Sequence, residues 1–179
     1  VRRNLTNTPP THASVRIHSD IVQRLRAEPD ADALAVIRDE LLRVSATDEE
    51  FLARLRGPIY EENRGVARFV LVSLAERAMT NEDRVDLWDR VRFEKSVQFK
   101  WTIEHILPQT DNPAPAWGPM LEAGGGIDAA RALVDHLGNL TISAYNSRLG
   151  TLGFLEKRDR TENGRADGPA IGYKNRLSL

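Results

Sequence analysis

The sequence predicts a mainly α-helical chain with a small α+β part: a helical bundle over residues 1–92, then a compact unit of short strands and helices over 93–179. Three observations carry this reading. Apolar residues recur at three- and four-residue spacing from about Ser14 to Thr80. Strand-prone runs come only later, at 99–103 and 139–143. Between those runs lie two breaks, Asp111-Asn112-Pro113-Ala114-Pro115 and Gly124-Gly125-Gly126.

In the helical part, Leu34, Ile37, Leu41 and Val44 share one face, and Asp30 or Asp32 can cap its start. Thr47-Asp48-Glu49-Glu50 has the capping-box pattern and leads into Phe51, Leu52 and Leu55, with Gly57-Pro58 as the stop. The stretch from Asn63 to Met79 is the most apolar and is expected to be a central buried helix, with Val66, Phe69, Val70 and Leu74 on one side. In the second part, Phe99-Lys100-Trp101-Thr102-Ile103 favours a strand with His105 just at its end. A helix is expected from Asp128 to about His136, a strand at 139–143, and short helices at 144–149 and 152–158. The tail after Thr161 is polar and Gly-containing, so it is expected to be mobile. Trp88, Trp101 and Trp117 are expected to anchor core or loops rather than to stack on bases.

Composition narrows the function. The 25 basic and 26 acidic residues give a formal net charge of −1, so any nucleic-acid contact must come from a local patch. The absence of cysteine excludes disulfides, thiolate zinc sites and cysteine nucleophiles. No apolar run approaches the roughly 20 residues that span a bilayer, and a cytoplasmic protein is expected. The chain opens on Val1 rather than Met and is read as a piece of something longer.

Three features follow one another in the second part: Glu104-His105-Ile106-Leu107-Pro108, then His136-Leu137-Gly138-Asn139-Leu140-Thr141-Ile142, then Asn146. A carboxylate beside a histidine on extended backbone suits phosphodiester hydrolysis. The carboxylate can hold a hard cation such as Mg²⁺ or Mn²⁺. A histidine, with a reference pKa of about 6.5, can take a proton from an attacking water. Each piece also has a plainer explanation. A Glu-His pair can be a strand-end surface feature, Gly138-Asn139 a turn, and Asn146 a helix-start polar residue.

Taken together, Ile103-Glu104-His105-Ile106-Leu107-Pro108-Gln109, Trp117, Gly138-Asn139-Leu140-Thr141-Ile142, Asn146 and Phe154-Leu155-Glu156-Lys157-Arg158 resemble the HNH (His-Me finger) nuclease domain at the C-terminus of GmrSD- and SspE-like restriction proteins, a family marked by an H-x-x-P motif. The resemblance is tight from Trp101 to Arg158 and loose before it, where Val1-Arg2-Arg3-Asn4 looks like the family's inter-domain linker. It implies a ββα-metal nuclease unit that cuts DNA within a restriction or phage-defence protein. His105 would then be the general base, and Asn139 the brace of the loop that bears it. Glu104 and Asn146 would hold one divalent ion, Mg²⁺ or Mn²⁺. His136 would be structural.

The family's preceding sensor or nucleotide-hydrolysing domain would be a partner, but no G-x-x-x-x-G-K-[ST] loop is present here. After His136 seven basic residues face four acidic ones. Arg148, Lys157 and Arg158 are placed to hold DNA phosphates. Two rivals stand beside this reading: a degenerate HNH module that grips DNA or a partner without cutting, and a helical adaptor whose C-terminal motifs are turns.

Overall fold

The computed structural model describes residues 11–174, so the linker-like 1–4 segment and Arg176 lie outside the described residues. About half of the chain is helical, and two small two-stranded sheets make up the β part. The chain divides into two compact units, up to Arg56 and from Gly57 onward.

The first unit holds α1 (Thr11–Ala27), α2 (Ala33–Arg43) and α3 (Asp48–Arg56). Asp32 caps α2, its carboxylate accepting from the Leu34 N–H at 2.9 Å. The Thr47 box also closes: Glu50 N–H donates to Thr47 Oγ1 at 3.1 Å and Thr47 N–H to Glu50 Oε2 at 2.8 Å. Each satisfies backbone donors that a helix start leaves open.

The second unit begins with α4 (Ile59–Glu62) and α5 (Arg64–Ala78). Asn63 caps α5 through the Val66 N–H. Val66, Ala67, Val70, Leu71 and Ala75 form the buried face, whereas Leu74 is exposed. This helix packs on a strand of the C-terminal half. The expected boundary at 92/93 therefore separates residues that the contacts keep in one unit, because the apolar face of α5 is buried against the later elements.

Strands β1 (Arg90–Phe93) and β2 (Ser96–Phe99) form one antiparallel hairpin, with Glu94 at φ 52° in its turn. The strand expected at 99–103 is interrupted at Lys100 and Trp101. A separate strand β3 (Thr102–His105) follows, ending on His105. After α6 (Gly118–Ala123) and α7 (Ile127–Leu133) comes β4 (Leu140–Ser143), antiparallel to β3 with Thr102 opposite Ser143 and His105 opposite Leu140. Short helices α8 (Asn146–Leu149) and α9 (Phe154–Asp159) complete the unit, and α8 packs back on β3.

Trp117 is buried, with its indole N–H donating to the Leu152 carbonyl at 3.0 Å. Over the described residues 161–174 the segment is not the loose tail expected. Thr161 bridges to Ala170, Ile171 is buried, and Gly172 lies so close to α9 that a Cβ would overlap the Lys157 carbonyl.

Candidate active site

Strand geometry fixes the site. Glu104 and His105 are consecutive on β3, so their side chains leave on opposite faces. On one face lies His105, buried at 9 % exposure, its ring edge-on to Tyr60 at 4.5 Å between centroids. Its Nε2 lies 3.0 Å from Asp135 Oδ1. A carboxylate only accepts, so Nε2 carries the proton and Nδ1 is the basic nitrogen of the neutral ring. Gln109 Nε2 donates to the same oxygen at 2.7 Å and holds Asp135 in place. Burial pushes the His105 pKa down, Asp135 pulls it up, and the charges of Lys157 and Arg64 lower it further, a net fall. The ring is thereby kept neutral and able to accept a proton. Arg64, at the start of α5, lies over Tyr60 with its guanidinium 5.0 Å from the ring centre.

The loop after His105 is fixed by Asn139 from just before β4. Its Oδ1 accepts from the Leu107 N–H at 2.7 Å, while Nδ2 donates to Leu107 O at 2.9 Å and Val134 O at 2.8 Å. The Asn139 carbonyl takes the Ile106 N–H at 2.9 Å. One amide thus ties three backbone groups that the chain reversal leaves without partners. Replacing Asn139 with Ala should cost roughly 1–3 kcal/mol, the penalty of stranding such groups. A denaturant melt checks this, and an unchanged midpoint would refute the bracing.

On the other face Glu104 is 2 % exposed and accepts from Lys157 Nζ at 2.6 Å. Lys157, at zero exposure, also donates to the carbonyls of His105 at 2.7 Å and Ile106 at 3.1 Å. Tyr173 donates to Glu104 at 3.4 Å, from the segment that Gly172 brings against α9. Burial pushes the Glu104 carboxyl up, and Lys157 and Tyr173 oppose it by favouring the carboxylate, leaving a net rise.

Two of the expected site residues are thus bound to each other. As placed, the Lys157 ammonium is enclosed and bonded to Glu104 and to the backbone beside His105. Glu104 as placed does not fit a metal-ligand role, since its carboxylate is enclosed and taken up by an ammonium. Asn146, at the first position of α8, donates Nδ2 to Ile103 O at 2.6 Å, and its Oδ1 takes no hydrogen bond from the described residues. Among the described residues there is no group of three or more His, Asp or Glu able to hold a metal ion.

Of the remaining expected residues, Arg148 lies 3.8 Å from Glu162, and Arg158 pairs with Asp159 at 2.7 Å. Both are surface cations already facing carboxylates. His136 has its Nδ1 buried without a partner among the described residues. Sequence reasoning misses Asp135, Gln109, Tyr60 and Arg64. For Asp135 the available signal is an acid four residues before the loop-bracing Asn139.

Fold and site together define an α+β domain in which a strand-end histidine, oriented by a carboxylate, sits beside a loop pinned by an asparagine. The chain belongs to the family of GmrSD restriction endonucleases, C-terminal domain, whose family model it matches over residues 45–171. No curated protein and no solved structure matches it. Among the described residues no helix is long and apolar enough to cross a membrane.

Proposed function

We propose that this chain is a DNA endonuclease domain of the HNH (His-Me finger) type, the cutting part of a restriction or anti-phage protein, with His105 as general base. Membership of a restriction endonuclease family supports nuclease activity on DNA. The observation that carries the specific reading is the buried, neutral His105 held through Nε2 by Asp135, with Nδ1 left as base. In the reaction, water oxygen bonds to phosphorus as its proton passes to Nδ1, and the phosphorus–oxygen bond breaks with its electron pair going to the departing sugar oxygen, which takes a proton from solvent. Asp135 stabilises the imidazolium so formed, and Asn139 keeps the loop from shifting the ring.

A divalent ion, Mg²⁺ or Mn²⁺, is the proposed cofactor and would supply charge neutralisation at the phosphate. Asn146 offers an oxygen for it. Glu104 does not while Lys157 holds it, so no step is assigned to that carboxylate. Arg64, Arg148 and Arg158 are proposed phosphate contacts. Exposed ion pairs such as those of Arg148 and Arg158 are screened by solvent and contribute little, so a phosphate can replace the carboxylate. A cytoplasmic protein with a preceding sensor or nucleotide-hydrolysing domain is the proposed setting.

The enclosed Glu104–Lys157 pair favours a second reading, a module that grips DNA without cutting it. Supercoiled plasmid with Mg²⁺ or Mn²⁺, against a chelator control, separates the two. Weak nicking is expected, equal on modified and unmodified plasmid and falling steeply from low to physiological salt. Plasmid left intact by folded protein in every ion would overturn the endonuclease reading in favour of the module.

A further inference from the structure

The hairpin of β1 and β2 is the most exposed secondary structure of the second unit. Phe93 is 62 % exposed and Val97 59 %, and only Phe99 among its eight strand residues is partly covered. An isolated two-stranded ribbon is marginal in water, so this one depends on its mounting. Arg68 provides it: the buried guanidinium donates to Leu87 O at 2.6 Å and to Trp101 O, gripping the chain just before β1 and just after β2. Phe99 stacks edge-on with Trp88 under the same guanidinium. Lys100 N–H closes the root on Asp89 O at 3.0 Å.

Directly paired residues share a face, so Arg90, Arg92, Val97 and Phe99 lie on one side and Val91, Phe93, Ser96 and Gln98 on the other. Arg90, Arg92, Lys95 and Lys100 bring four positive charges against two negative ones, Asp89 and Glu94. None of the four cations is in an ion pair with a described residue. Arg131, Arg148, Arg158 and Lys174, by contrast, each face a carboxylate. Arg90 lies over the Phe99 ring at 4.7 Å and Lys100 over the Trp101 ring at 5.9 Å, but no described carboxylate pairs with any of the four. Such cations on a protruding ribbon call for an anionic partner, and exposed apolar side chains among them mark a contact surface.

We propose that the β1–β2 ribbon is a DNA-gripping element of this chain, seated in the major groove beside the cut site, with Arg90, Arg92 and Lys95 on the phosphates. This rests on the endonuclease reading and names how that site takes its substrate. The major groove is about 12 Å wide and admits a two-stranded ribbon. The six steps from Phe99 to His105 span at most about 20 Å at ~3.3 Å each, so ribbon and base reach the same stretch of duplex. Contacts of this kind are to the backbone and carry no sequence information.

The test is anisotropy of a labelled 24-base-pair duplex titrated with the full chain in chelator, where nothing is cut, using the triple variant Arg90→Gln, Arg92→Gln, Lys95→Gln. Its Kd should rise about tenfold or more at low salt. The slope of log K against log salt should flatten by about 2.7, from ~0.9 for each phosphate no longer neutralised. Arg131→Gln should change Kd less than twofold, and circular-dichroism melts should superimpose. Unchanged DNA affinity in the triple variant overturns the proposal. So does loss of self-association in Phe93→Ser by sedimentation with DNA binding intact, which would make the ribbon a contact between copies. A chain that cuts plasmid but binds DNA independently of the ribbon overturns only this inference. A chain that neither binds nor cuts overturns the endonuclease reading as well.

Discussion

His105→Ala is expected to lower plasmid cutting by about 10²–10⁴-fold, the usual loss when a general base is removed. DNA affinity should stay near that of the wild type, because the ring is buried against Tyr60 and Asp135 and makes no surface charge. Some stability will go with it. Tyr60 no longer has a ring edge-on to its own, and the Asp135 carboxylate keeps only Gln109 as a hydrogen-bond partner among the described residues. The comparison that isolates the chemistry is Asp135→Asn, which preserves shape and removes the charge that orients the ring. It should lower kcat with KM little changed, and by less than His105→Ala does. Single-turnover cutting with a melting curve beside each variant gives both readouts. A folded His105→Ala protein that cuts within threefold of the wild type would remove His105 from the reaction.

The parts of this site that are legible in the sequence are those set by local chemistry. His105 ends a strand as its flanking Thr102-Ile103 pattern suggests, because Pro108 and the loop behind it cannot continue a sheet. The Asp32 and Thr47 caps are two- and three-residue devices and need no tertiary context. What cannot be read depends on distant partners. Lys157 sits in the charged run Glu156-Lys157-Arg158-Asp159, where any lysine defaults to solvent. Its carboxylate is Glu104, 53 positions away. Asp135 gains meaning only when its segment meets His105, 30 positions off. The β1–β2 hairpin is hidden because its Glu94-Lys95 turn lacks the Asn-Gly or Asp-Gly signature. Each strand alternates polar and apolar residues, but the register pairs Arg90 with Phe99 and Arg92 with Val97, so neither face of the ribbon is wholly apolar. The apolar run of α5 is buried as its composition suggests, but what buries it is β4, so the boundary falls at 56/57.

Lys157→Ala should be among the most damaging single substitutions in the second unit. It leaves the Glu104 carboxylate enclosed at 2 % exposure, with Tyr173 as its remaining donor among the described residues. It also strips the carbonyls of His105 and Ile106 of their ammonium donor. Breaking one side of a buried pair typically costs about 3–5 kcal/mol. For a chain of this size that is on the order of 10 °C in Tm. The penalty comes mainly from the stranded charge, so removing both charges should recover much of it. Glu104→Gln with Lys157→Met should melt well above Lys157→Ala, because a buried pair replaced by neutral groups of similar volume is often close to neutral overall. A full cycle of single and double variants measures the coupling directly. Melts of Lys157→Ala within about 1 °C of wild type would show that the pair is not formed in solution. Glu104 would then be open to a cation, and Glu104→Gln should reduce any rise in Tm that excess Mg²⁺ brings. A large Lys157→Ala loss, with a Mg²⁺ response that Glu104→Gln leaves unchanged, is the result expected of a carboxylate committed to holding the strand end that carries His105.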